Sequence, residues 1–204
     1  MTFMIKLIIF DVGSVITFTD WKKVYSNVAE ILGIDPSIVV DYHRDNLDAL
    51  LVNKLTFSDF VEFLNEYIRT LTVENVKEVW TSEALKLVQV DRKLLNYIDK
   101  LRINYELFIL TNASEGRMYV DQALDLYRHF NHVFISCKEH LMKPEEAFYQ
   151  KALLLANTTP EEIIFVDDNE KNVVAGQTLG MHGIIYRDFN LFKESLLKLG
   201  ISKF

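Results

Sequence analysis

Apolar residues cluster in short runs separated by long amphipathic stretches. Residues 5–10 form the first run, interrupted only by Lys6. Such a run suits a central parallel strand covered on both faces. Three similar runs follow much later, at 106–110, 132–135 and 162–166, and 183–186 offers a fifth. Between them, helical patterns are expected over 114–128, 144–156, 170–180 and 190–199. Strands alternating with helices of this length predict an α/β fold with a doubly wound parallel sheet. Ligands bind such sheets outside the carboxyl ends of the strands. Asp11, Thr111 and Asp167 each follow a predicted strand, so one edge should gather them.

Residues 20–103 read differently, with five helix candidates and no convincing strand. The first begins after Thr19-Asp20 and stops at Gly33, which suits an N-cap and a C′ position. Asp35-Pro36 places proline at a first helical position. Thr56-Phe57-Ser58-Asp59 and Asp91-Arg92-Lys93 are further starts. Phe57, Phe60, Phe63, Leu64 and Tyr67 recur at helical spacing and read as a packed face. The expectation is a core of 1–17 and 87–204 with a helical insertion over 18–86. The helix near 91–103 should return the chain to the sheet.

Composition narrows the classes. Half of the 204 residues are hydrophobic, enough for a sizeable core, and the formal net charge is −7. That acidity, with no dense Lys/Arg run, disfavours a nucleic-acid partner. The opening segment 1–10 has no basic leader region and no small-residue cleavage site, and Asp11 ends it. No apolar run approaches a membrane span. The single cysteine, Cys137, permits no internal disulfide framework and fits a reducing, cytoplasmic setting. It reads as a small packed residue beside 133–136 rather than a nucleophile.

Candidate chemistry lies where the strands end. Asp11 opens the turn Asp11-Val12-Gly13-Ser14, and Gly13 lets a ligand approach the backbone. Thr111-Asn112 offers a hydroxyl and an amide for phosphate oxygens, or only a turn. Lys143-Pro144 is expected to start a helix with proline at N1. A cation there opposes the helix dipole, so a shared anion would explain it better than structure alone. Asp167-Asp168 sets two carboxylates side by side, a repulsion that a hard cation such as Mg²⁺ relieves. Helix capping would explain one of them but not both. Together these groups suit phosphoryl transfer with a metal-clamped phosphate and a carboxylate nucleophile.

The order Asp11…Thr111…Lys143…Asp167-Asp168 closely resembles the four motifs of the haloacid dehalogenase-like (HAD) hydrolase superfamily. The resemblance covers about 5–17 and 103–187. Its most specific stretches are Met142-Lys143-Pro144-Glu145 and Ile164-Phe165-Val166-Asp167-Asp168-Asn169, continuing to Asn172 and Leu179-Gly180. It implies a Rossmann-like core with a small helical cap inserted after the first strand. It also implies a Mg²⁺-dependent hydrolase, similar to sugar-phosphate phosphatases, acting on a small phosphorylated metabolite. By that resemblance Asp11 attacks phosphorus and binds the metal with the Gly13 carbonyl and the Asp168 side chain. Asp167 acts through a metal-bound water, Thr111 and the Asn112 backbone hold the phosphoryl group, and Lys143 pairs with Asp11 and the phosphate.

One position departs from the pattern. Most family phosphatases carry a second aspartate two residues after the nucleophile, which donates a proton to the leaving group. Here that residue is Gly13. An Asp-x-Gly-x-Val branch that includes sugar-phosphate phosphatases is similar in this respect. The departure leaves three readings: a phosphatase with another proton route, a 2-haloacid dehalogenase, or a non-catalytic binding protein. The dehalogenase branch generally lacks the paired acidic site kept at Asp167-Asp168.

In the insertion, Tyr42-His43-Arg44 offers either a substrate-facing aromatic and cationic group or ordinary packing and surface pairing. His129, His132, His140 and His182 show no metal-ligand spacing. Ser14 has no identifiable histidine base.

Overall fold

The protein is described by a computed structural model covering residues 4–201. The outermost residues of the expected core, 1–3 and 202–204, lie outside the described residues. Strand β1 (Leu7–Phe10) leads through the short β2 (Thr17–Phe18) into five helices. These are α1 (Trp21–Leu32), α2 (Pro36–Asp45), α3 (Leu47–Leu51), α4 (Phe57–Leu64) and α5 (Val73–Leu87). The chain returns through β3 (Gln89–Val90) and α6 (Arg92–Leu101) to β4 (Glu106–Thr111). Then follow α7 (Glu115–Ala123), β5 (His132–Ile135), α8 (Ser136–Glu139), α9 (Glu146–Leu155), β6 (Ile163–Asp167), α10 (Glu170–Thr178), β7 (His182–Ile185) and α11 (Phe189–Lys198).

The sheet has the order β5-β4-β1-β6-β7, every neighbouring pair parallel. This is the expected doubly wound α/β sheet. Its period of two divides the core cleanly. Leu7, Ile9, Phe108, Leu110, Ile163 and Phe165 face one side, against Phe148, Tyr149 and Ala152 of α9. Ile8, Phe10, Ile109, Ile164 and Val166 face the other, against Leu94, Ile98 and Leu101 of α6 and Phe192 and Leu196 of α11. Each fully buried aliphatic or aromatic side chain contributes about 1.5–3 kcal/mol, which is why these unbroken runs form strands with no polar face.

The helices α1–α5 bury their own cluster, including Val24, Val28, Phe57, Phe60, Leu64, Val76 and Trp80. Their ends follow the capping signals. Asp20 accepts from the Lys23 amide, and Gly33 closes α1 at φ 73°. Asp35 accepts from the Ser37 amide with Pro36 in the first turn. Thr56 and Asp59 make a reciprocal capping box.

Four expectations need correction. The stretch 20–103 contains six α-helices rather than five, and it is not free of strand. Thr17 pairs antiparallel with Val90, and Phe18 with Gln89, where the chain enters and leaves the helical lobe. Two-residue strands are too short to show a period. The expected helix over 114–128 ends at Ala123, because Asp125 adopts a left-handed conformation (φ 52°) and a 3₁₀ turn follows over Leu126–His129; aspartate tolerates that region better than most residues. Pro144 is not at N1 of a helix. The Lys143–Pro144 peptide is cis, and α9 starts only at Glu146. Both main-chain groups of Lys143 are bonded to the Asn112 side chain instead.

Candidate active site at the carboxyl edge of the sheet

The chain leaves β1 for β4 on one side, whereas β6 leads to β7 on the other. The C-terminal ends of β1 and β6 therefore flank a topological switch point, where open α/β sheets hold ligands. Asp11 follows β1, and Asp167 closes β6. Lys143 reaches the same place from the loop before α9.

Lys143 Nζ lies 3.0 Å from Asp11 Oδ1 and 2.7 Å from Asp167 Oδ2, and its side chain is fully buried. Buried charges persist only when paired and hydrogen-bonded, and this lysine serves two carboxylates. Asp167 also accepts from the Asn169 amide at 2.8 Å and from Asn172 Nδ2 at 3.1 Å through both oxygens. Asn172 is held in turn, its carbonyl accepting from the Tyr149 hydroxyl at 2.9 Å. The Val12 amide donates to Asp11 Oδ1 at 2.7 Å.

Burial, opposed by Lys143, pushes the Asp167 carboxyl above the ordinary range, and the Asp11 charge adds to the push. Burial and then Asp11 raise Asp168 as well. Asp11, Asp167 and Asp168 each offer a carboxylate oxygen, and these oxygens lie within 4.8 Å of one another. A set of hard, mutually repelling oxygen donors suits Mg²⁺. Because Lys143 and Asn172 already occupy Asp167, the more open Asp168 is the freer donor.

Thr111 is buried as the last residue of β4. Asn112 follows it, but its side chain is not free for a ligand. Its Nδ2 donates to the Lys143 carbonyl at 2.9 Å, and its Oδ1 accepts from the Lys143 amide at 2.8 Å. The side-chain amide therefore positions the lysine. Gly13 sits two residues beyond Asp11, in a turn closed by the Ser14 amide donating to the Thr17 carbonyl at 2.8 Å.

Sequence reasoning missed Arg117. A Cβ at Gly13 would lie 2.4 Å from Arg117 Nη2, so the guanidinium fills the space a side chain at position 13 would take. The same guanidinium lies 5.2 Å from the Trp21 ring centroid and 3.5 Å from the Asn112 carbonyl. The available signal was a cation in the first turn of α7, where the helix dipole disfavours it. Nearby Asp121 is buried, which pushes its carboxyl up to about 7 against the pull of Arg117 and the Tyr127 hydroxyl.

In the insertion, Tyr42-His43-Arg44 takes the packing and surface-pairing alternative. His43 is buried, stacked on Tyr25 at 4.2 Å and on Trp80 at 5.1 Å. Arg44 is exposed and paired with Asp41 and Asp45. Trp80 Nε1 donates to the Gly116 carbonyl at 2.9 Å, tying α5 to the first turn of α7. Cys137 is buried beside Ala113, Met118 and Ile135, and burial lifts its thiol to about 11, which suits packing and not nucleophilic attack. Among the described residues, no helix is long and apolar enough to cross a membrane.

The fold and this edge define an α/β enzyme with an acidic, lysine-bridged centre. The chain belongs to the haloacid dehalogenase-like hydrolases, whose family model matches residues 5–180. It is similar to the D-ribitol-5-phosphate phosphatase of Bacteroides thetaiotaomicron, at 27% identity over 87% of this chain and 89% of that protein. It is also similar, at 25% identity, to the phosphorylated carbohydrates phosphatase of Thermotoga maritima, over 88% of this chain and 83% of that protein. Among solved structures, a HAD family enzyme of Bacteroides thetaiotaomicron in complex with magnesium and inorganic phosphate superposes with a TM-score of 0.74. That match is 20% identical and covers 92% of this chain and 98% of the other.

Proposed function

We propose that this hydrolase is a Mg²⁺-dependent phosphatase of a small phosphorylated metabolite, working through an aspartyl-phosphate on Asp11. The observation that carries this reading is the Lys143 bridge. It holds Asp11 and Asp167 within 3.0 Å of one ammonium, beside Asp168. The sugar-phosphate phosphatases among its relatives support the substrate class.

In this reading residues 18–86 form a cap over a core of 1–17 and 87–204. Asp11, the Gly13 carbonyl and Asp168 would hold Mg²⁺, with Asp167 behind a water. When bound, the ion would neutralise phosphate charge and favour attack at phosphorus. Lys143 orients Asp11, and its charge offsets the approach of an anionic phosphate to the nucleophile. Thr111 and the Asn112 backbone would hold the phosphoryl oxygens. The Asn112 side chain acts one step further out, by gripping the backbone of Lys143.

Gly13 keeps a second reading alive, a non-catalytic or weakly active binding protein. A phosphate-release screen over sugar phosphates, nucleotides and an aryl phosphate, with and without Mg²⁺, separates the two. The phosphatase reading expects Mg²⁺-dependent release that falls on the order of 10⁴-fold or more in Asp11→Asn. Release that survives in Asp11→Asn removes the proposed nucleophile. No turnover across the screen favours the binding protein, and halide release from a 2-haloacid without metal favours a dehalogenase.

A further inference from the structure

We propose that Arg117 is a catalytic residue, donating a hydrogen bond to the oxygen that leaves phosphorus; the inference rests on the phosphatase reading. Two cations with different freedom stand at this edge. Lys143 is fully buried and held between Asp11 and Asp167, so it cannot extend to the far side of a substrate. Arg117 is half-buried, and no carboxylate forms an ion pair with it among the described residues. Its contacts are one long hydrogen bond to the Asn112 carbonyl and the Trp21 face. Those contacts leave much of a five-donor group unused.

Position fits the role. Nη2 would stand 2.4 Å from a Cβ at Gly13, so the guanidinium occupies the direction in which a side chain two residues past Asp11 would project. Tyr25 also lies within its field: burial raises the phenol to about 12, and Arg117 opposes the rise. The guanidinium thus sits between the turn that carries the nucleophile and the aromatic residues of α1. A leaving alcohol crossing from phosphorus toward the helical lobe would pass it.

The chemistry differs from that of an acid. As Asp11 bonds to phosphorus, the bond to the leaving oxygen breaks and its electron pair stays on that oxygen. Arg117 stabilises the developing charge but keeps its own proton, since guanidinium does not deprotonate in proteins. The alkoxide takes a proton from water. The hydroxide left behind is neutralised by the proton released when a second water hydrolyses the aspartyl-phosphate. An enzyme built this way depends steeply on how well the alcohol leaves, and Arg117 matters most for the poorest leaving groups.

The test is kcat/KM, with Mg²⁺, over phosphate esters graded by leaving-group acidity, from 4-nitrophenyl phosphate to an alkyl phosphate. Arg117→Gln should lose about 100-fold on the alkyl ester and less than about threefold on the nitrophenyl ester. The loss should fall on kcat more than on KM, and Arg117→Lys should restore part of it. A uniform loss across the series, or none, overturns the role of Arg117 and leaves the phosphatase reading standing. No phosphate release by the unaltered enzyme from any ester overturns both.

Discussion

The sheet edge and the aromatic centre of the helical lobe both bury a basic group, by opposite means. At the edge, Lys143 is buried as an ion, because two carboxylates and their hydrogen-bond partners surround it. In the lobe, His43 is buried among Tyr25, Phe60 and Trp80, and no carboxylate among the described residues pairs with it. Burial drives its pKa down to about 4, with only a ring nitrogen bonded to the Val39 carbonyl in opposition. One region supports charge by pairing, and the other excludes it by desolvation. The consequence is a contrast in character: the edge carries paired, buried charge and the lobe presents a neutral aromatic interior.

The largest effect should come from breaking the pairing. Lys143→Met leaves Asp11 and Asp167 facing each other without their cation. A loss of about 3–5 kcal/mol in urea unfolding at pH 8 is expected, and a shift under 1 kcal/mol would mean the bridge holds little of the fold together.

The next test concerns the excluded charge. His43 has a folded pKa of about 4 against an ordinary 6.5, so the unfolded chain binds more protons between those values. Stability from His43 is therefore complete above pH 6.5 and falls as pH drops toward 4, by about 3 kcal/mol. Asp121 works with the opposite sign. Its folded value of about 7 lies above the ordinary 3.8, so its contribution is complete below pH 3.8 and is lost as pH rises through 7. The two slopes oppose one another in the intact protein. His43→Phe keeps a stacked ring and removes one slope, so the difference between the two proteins' unfolding free energies across pH 4–7 isolates His43. A difference independent of pH would show that the imidazole is not held neutral.

The smallest effect tests the join between the regions. Trp80→Phe removes the indole bond to the Gly116 carbonyl, which keeps its helical partner, and should cost about 0.5–1.5 kcal/mol. Hydrogen exchange at the start of α7 should rise with it; unchanged exchange there would place the cost within the lobe alone.

Legibility in the sequence followed burial. β1, β4 and β6 are sandwiched between helix layers, so their apolar runs were plain, and the residues closing or following them came with the strands. Capping side chains made the helix starts at Asp20, Asp35, Thr56 and Asp91 readable. Interactions between distant segments were not. Nothing local says that Asn112 grips Lys143, 31 residues away, or that Arg117 covers Gly13, because each depends on how two loops meet. The Tyr42-His43-Arg44 stretch left two alternatives open, and packing holds because adjacent helix residues point in different directions: His43 turns inward and Arg44 reaches its surface aspartates.

The β2–β3 pairing has a consequence for how the chain reaches this fold. Leu7 must find Glu106 in register, a contact spanning 106 − 7 = 99 positions, and closing so long a loop is slow. Once Thr17 meets Val90 and Phe18 meets Gln89, the helices between them no longer count toward the distance to be searched. Only the short arms 11–16 and 91–105 remain to be drawn together. Early assembly of the lobe would turn a distant strand pairing into a nearly local one, so variants that loosen the two-residue stem should slow refolding more than they speed unfolding. Stopped-flow refolding of Thr17→Gly is the direct measure.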